Sequence, residues 1–247
     1  MTTLFPSLPH NTPTTSPALH APATRARGLG ALLIAEGLLA LAPMAVLGPA
    51  IGWPASLDRP AAEQLGANAA APGAVQAGYG LYLLYSVLVA PVLIVLAARV
   101  FGDLRHPLAA VVAAFAALSV LARSIGILRW LTVMPELARA HADADPATRT
   151  QIERLFDALN AYGGGIGELL GVGLFMAIAL GTLVVAAWQR RTLPRPLAAA
   201  GAVSVLLLAG VLLPALGIAV DVPMAAAVTV LSLWMMATGA WILAGRR

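Results

Sequence analysis

Six apolar stretches separated by short polar connections organise this chain: 29–51, 77–98, 108–134, 162–188, 197–220 and 222–244. A hydrocarbon core about 30 Å thick is crossed by about 20 apolar residues of helix, and each stretch is at least that long. The pattern therefore predicts an all-α, polytopic membrane protein, a six-transmembrane-helix bundle. Pro43, Pro91 and Pro214 are expected to kink the first, second and fifth spans. Only Asp221 and Pro223 interrupt the last two, which predicts a tight helical hairpin.

The connections carry their own signals. Residues 1–24 are rich in Pro, Thr and Ser and show no helical or strand period, so they read as a disordered tail. The first span follows and is read as uncleaved, because its apolar run exceeds that of a signal peptide. In the largest connection Asp145 precedes Pro146, a good cap followed by proline at the first helical position. Ile152, Leu155, Phe156 and Leu159 then fall on one stripe opposite Arg149, Glu153 and Asp157. This predicts an amphipathic outer connecting helix, breaking or bending at Gly163, Gly164 and Gly165 before the fourth span.

Arginine is spread unevenly about the spans. Arg25, Arg27, Arg99, Arg105, Arg190, Arg191, Arg195, Arg246 and Arg247 fall on one side, against Arg59, Arg139, Arg149 and Arg154 on the other. The side richer in arginine is expected to be cytoplasmic, which puts both termini there. With 60% hydrophobic and 11% charged residues the chain is too apolar for a soluble domain, where about 25% charge is usual. Its net charge of +4 does not point to nucleic acid, because no basic cluster with interleaved aromatics accompanies it. The absence of cysteine excludes disulfides, thiolate metal sites and cysteine nucleophiles.

Within the spans the charged side chains are Glu36, Arg123, Arg129 and Glu168. An ion in the hydrocarbon core costs roughly 2.5–3.5 kcal/mol on insertion scales, so these four are the candidate functional residues. At about 1.5 Å of rise per residue, Glu36 and Arg123 lie at similar depth, as do Arg129 and Glu168. Two pairs are expected, either neutralising each other or lining a polar pathway. Arg123 and Arg129, six positions apart, fall on different faces of one helix. Gly163, Gly167 and Gly171 repeat at four-residue spacing and predict close helix packing. Ser119, Ser124 and Ser204 are expected to form hydrogen bonds between helices.

Catalytic signatures are missing. The histidines, His10, His20, His106 and His141, lie outside the spans, which leaves paired haem ligation unsupported. Neither the zinc-protease pattern nor the serine elbow occurs, and the glycines at 163–167 do not form a phosphate loop. No catalytic, cofactor or metal site is expected. The interval from Glu36 to Met44 equals that from Glu168 to Met176, a weak echo of an inverted repeat of two three-span halves.

Arg27-Gly28-Leu29-Gly30 at the first span, Arg123 in the third, Asn160-Ala161-Tyr162-Gly163 before the fourth and Leu193-Pro194-Arg195 before the fifth resemble a bacterial family, domain of unknown function 4386. The resemblance covers the chain from Arg25 onward. It implies a compact helical protein of the bacterial cytoplasmic (inner) membrane, and no reaction. The sequence thus reads as an integral membrane protein, non-enzymatic and of structural or regulatory kind, with the lipid bilayer as its partner. A protein partner or small solute is left open, and nucleic acid is excluded. The alternative is a small-solute or proton-coupled transporter using Glu36, Arg123 and Glu168.

Overall fold

A computed structural model describes residues 23–245, and every regular element among them is helical. The tail expected over residues 1–24 lies outside the described residues, except that Ala23 and Thr24 already belong to the first helix. The main helices are α1 (Ala23–Leu39), α2 (Ala42–Ile51), α3 (Ala61–Ala70), α4 (Pro72–Phe101), α5 (Pro107–Leu131) and α6 (Val133–Asp143). They continue with α7 (Pro146–Gly164), a π-helical segment (Gly165–Phe175), α8 (Met176–Arg190), α9 (Arg195–Gly210) and α10 (Met224–Leu243). Five helical runs, α1 with α2, α4, α5 with α6, α7 through α8, and α10, are long and apolar enough to cross a membrane. The chain is a multi-pass membrane protein.

Proline sets several boundaries. Pro72, Pro107 and Pro146 each open a helix, where the missing N–H costs nothing. Elsewhere proline interrupts the helix: at Pro43 the first span breaks for two turn residues and runs on as α2, and before Pro214 the helix stops. A proline cannot donate to the carbonyl four residues back and its ring crowds that carbonyl. Pro43 stands four after Leu39, the end of α1, and Pro214 four after Gly210, the end of α9. The span expected over 197–220 is accordingly corrected: helix ends at Gly210, and residues 211–223 form turns, a short 3-10 turn and extended chain before α10. The expected tight hairpin is a longer, exposed connection containing Leu216, Ile218 and Val220. Pro91, by contrast, lies inside an uninterrupted α4.

Asp145 caps α7, accepting from the Thr148 hydroxyl at 2.6 Å and from the N–H groups of Ala147 and Thr148 at 3.0 and 3.2 Å. The Thr148 hydroxyl and those N–H groups hold its carboxyl below the usual carboxylate range. On α7 Phe156 is fully buried, while Leu155 is 48% exposed. The break expected at Gly163–Gly165 is replaced by a change of helix type. The chain runs on as helix from Pro146 to Arg190, and over Gly165–Phe175 it adopts the wider π form. There the Met176 N–H reaches back five residues to the Gly171 carbonyl.

Two apolar cores result. The larger is built from α1, α4, α5, α8, α9 and α10 and includes Leu33, Leu93, Leu180, Leu183 and Met235. The smaller joins α2, α3, α6 and α7 to one end of α4 and α5 through Leu47, Leu65, Tyr79, Trp130, Met134 and Phe156. The two ends of the bundle thereby differ. The connections at 102–106 and 191–194 mark one, here termed the arginine end, where Arg190 donates to the Phe101 carbonyl at 3.3 Å. The connections at 52–60, 144–145 and 211–223 mark the other, the cavity end.

Candidate functional site

A cavity of about 850 Å³ occupies the cavity end. It is bounded by the break between α1 and α2, the 211–223 connection and α10 on one side, and by α4, α5 and the α7–π run on the other. Exposed residues, Met44, Asp58, Ala161 and Asp221, stand among its lining, so it communicates with the surroundings. On α10 the lining runs from Met224 no further than Ser232.

Three of the four intramembrane charges line this cavity: Arg123, Arg129 and Glu168. Glu36 does not; it is buried on α1 at 2% exposure, and its Oε1 has no hydrogen-bond partner. The expected ion pairs do not close. Among the described residues the arginine ion pair is Glu136 with Arg139 within α6, and His141 of α6 meets Glu153 of α7 at 2.9 Å.

The two arginines find other neighbours. Arg129 donates through Nε and Nη2 to Asn160 Oδ1, at 3.2 and 3.1 Å, and through Nη1 to the Gly126 carbonyl at 2.5 Å. It also lies 5.4 Å from the ring centre of Trp130. Arg123 sits over the Tyr85 ring at 4.6 Å, only 3% exposed, and its Nε and Nη2 have no hydrogen-bond partner. Though placed on different helix faces by their spacing, both stand in the lining of the same cavity. Arg129 Nη2 and Glu168 Oε1 both come within 4 Å of the space a side chain on Gly164 would fill, so the two charges are neighbours without bonding.

Glycine makes the approach of α5 and the π segment close enough for this arrangement. A methyl group on Gly126 would stand 2.8 Å from Gly167 Cα and 2.9 Å from the Gly163 carbonyl. One on Gly171 would meet the stem of Arg123 at 2.7 Å. Gly163, Gly167 and Gly171 thus face α5, with Gly126 opposite them. Ser119 on α5 donates to the Gly171 carbonyl at 2.8 Å across the same seam, whereas Ser204 donates within its own helix, to Ala200 at 3.2 Å.

Sequence reasoning did not single out Asn160 as a partner of Arg129, nor the aromatic cluster beside the cavity. Tyr79 stacks on Trp130 at 4.8 Å between ring centres, Trp130 meets Phe156 edge-on at 6.0 Å, and Tyr82 lies between Trp53 and Tyr85 at 6.1 and 6.2 Å. The signal available was the spacing of Tyr79, Tyr82 and Tyr85, which puts successive tyrosines near one face of α4. Trp53, Tyr79, Tyr82 and Trp130 line the cavity and give it flat apolar walls with a few polar tips.

The family described as Domain of unknown function (DUF4386) matches residues 29–239, most of the chain and every element that builds the cavity. No curated protein and no solved structure matches the chain.

Proposed function

The chain belongs to the family named Domain of unknown function (DUF4386), a name that carries no activity, and we propose that it binds a small solute within the membrane and moves it across. The observation that carries this reading is the cavity, whose largely apolar and aromatic lining includes Arg123, Arg129 and Glu168. A few polar groups in a mostly apolar concavity of this size are what a small-molecule site requires. Charges inside a membrane helix bundle that face an accessible cavity, and not one another, favour a solute pathway over a purely structural or regulatory role. The protein is accordingly a non-enzymatic transporter.

In this reading α9 is the sixth span. Its 16 residues cover about 24 Å, and the apolar 211–223 connection completes the crossing. The arginine end faces the cytoplasm of a bacterial inner membrane, with both termini on that side, and the cavity opens outward. The α7 helix lies at the outer interface, with the half-exposed Leu155 toward lipid.

The lack of cysteine allows single reporters to be introduced without background. Thr229→Cys in the cavity and Thr238→Cys beyond its floor are compared with a membrane-impermeant thiol reagent. In intact cells Thr229→Cys is labelled and Thr238→Cys is protected. In inside-out vesicles a slowly growing fraction of Thr238→Cys reacts, as the cycle exposes the other side. Protection of Thr229→Cys in intact cells would remove the solute site, and permanent protection of Thr238→Cys from both sides would leave a receptor without transport.

A further inference from the structure

Arg123 is the unusual member of the cavity. The residue stands in the cavity lining, its side chain is almost wholly buried with the guanidinium against the Tyr85 ring, and Nε and Nη2, buried behind the wall, are left without an acceptor. Those two nitrogens form one edge of the guanidinium, the edge that a carboxylate engages through two parallel hydrogen bonds. Buried donors without acceptors are costly, and the cost is greater for charged ones, so an acceptor supplied by a ligand gains more here than at an exposed arginine.

From these observations we propose that Arg123 anchors the carboxylate of a monoanionic solute with an apolar, preferably aromatic, body. The inference rests on the reading of the cavity as a solute site and specifies what that site takes.

The other charges support this choice. Arg129 is already engaged by Asn160 and the Gly126 carbonyl, so it offers less to a ligand. Glu168 lies beside Arg129, which offsets the repulsion that its carboxylate would exert on an entering anion. Glu36 stands outside the cavity lining and makes no ion pair with Arg123, so it leaves that buried edge unpartnered. A single arginine balances one negative charge. A phosphate carrying two would bring an uncompensated charge into a low dielectric, which favours the carboxylate. The body of the ligand meets Trp53, Tyr82, Ile127, Trp130 and Val172, which are apolar or flat, so recognition beyond the carboxylate comes from apolar contact.

The carboxylate can reach the site from water or from the bilayer, and two probes separate these sources. In nanodiscs, labelling of Thr229→Cys is followed with benzoate, with dodecanoate, and with benzylamine as the cationic counterpart of benzoate. Protection by benzoate and not by benzylamine identifies a water-borne carboxylate; protection by dodecanoate alone identifies a lipid-derived one. Either result supports the proposal if Arg123→Gln raises the protecting concentration by roughly tenfold to a hundredfold.

Because Arg123→Gln can disturb folding, Arg123→Lys is measured beside it. It keeps the charge and loses the two-pronged edge, so it gives an intermediate loss. Glu36→Gln removes a buried carboxylate charge near the site without touching the cavity wall, and protection is retained or strengthened. Labelling that no carboxylate suppresses, equal protection by benzylamine, or equal protection in Arg123→Gln overturns the anchor while leaving the solute reading intact. Loss of labelling in the protein without probe defeats that reading instead.

Discussion

Two glycine-lined seams hold this bundle, and they lead to opposite outcomes. At the arginine end α1 and α10 touch through their backbones: a methyl on Gly239 would lie 2.5 Å from the Gly30 carbonyl, and one on Gly30 would lie 2.8 Å from the Gly239 carbonyl. That seam is closed, and the cavity lining on α10 stops at Ser232 above it. At the cavity end the glycines of the π segment bring it equally near to α5, yet Gly126 and Gly167, which meet at that seam, themselves stand in the lining of the cavity. Close packing is therefore not by itself a sign of a sealed interior. The difference lies in what each seam is tied to: α1 and α10 close on each other, whereas α5 and the π segment present Arg123, Arg129 and Glu168 to the space opposite. Proline adds to it, since Pro43 and Pro214 end α1 and α9 and so remove regular helix from the walls of the cavity.

The largest expected effect comes from wedging the closed seam. Gly239→Leu has backbone and the stems of Leu33 and Ile34 in its way, with no flexible side-chain end to move aside. Overpacking of this kind costs about 1–3 kcal/mol, which for a chain of this size lowers the melting temperature in detergent by roughly 2–12 °C. Gly80→Leu on α4, with nothing within 4 Å of its methyl position, provides the reference and stays near the parent value. Equal melting temperatures for the two variants would mean that the α1–α10 seam is not the closed floor of the cavity.

Next in size is the contrast between the two arginines. Arg129 ties α5 to α7 through Asn160, so Arg129→Gln and Asn160→Ala should each lower stability by about 1–3 kcal/mol, and the double variant should lose less than the two losses added. Arg123, whose Nε and Nη2 are buried without a partner, should show its effect mainly on ligand protection if it is the proposed anchor. Additive losses for Arg129 and Asn160, measured by thermal denaturation, would dissolve the distinction between a structural and a binding arginine.

What the sequence disclosed, and what it hid, follows the same division. Helical class, membrane character and the four buried charges are legible because they depend on runs of apolar residues and on the cost of an ion in hydrocarbon. The partners of those charges are not, since depth along a helix says nothing of the rotation that carries Arg129 to Asn160 and Arg123 under Tyr85. The end of α9 was within reach: Pro214 lies in the stretch, and whether such a proline kinks or stops a helix depends on the neighbours that can rescue the lost hydrogen bond. Gly126 and Gly201 escaped the spacing rule for a different reason. Each fills a tight place alone, Gly126 against Gly167 and Gly201 against Val184 and Trp234, so neither belongs to a repeat on its own helix.

The smallest expected effect tests whether the cavity end owes its shape to the π segment. The Gly171 carbonyl receives both the Met176 N–H, five residues on, and the Ser119 hydroxyl of α5 at 2.8 Å. The hydroxyl draws this carbonyl toward α5, which favours the wider helix where glycines permit it. Ser119→Ala removes that bond and little else, because the site is buried and the change in volume is small. Interhelical bonds of this kind contribute about 0.6 kcal/mol in membrane bundles, so the melting temperature should fall by only about 1–2 °C. Hydrogen exchange reads the local consequence more sharply: the amides of residues 172–176 should exchange faster, while those of α10 stay unchanged. Ser204→Ala is the matched comparison, since its hydroxyl bonds only to Ala200 in its own helix, and it should leave exchange in the π segment untouched. Identical exchange in the two variants would show that the glycines alone impose the π form. The cavity end would then differ from the closed end through backbone freedom and not through a side-chain tether.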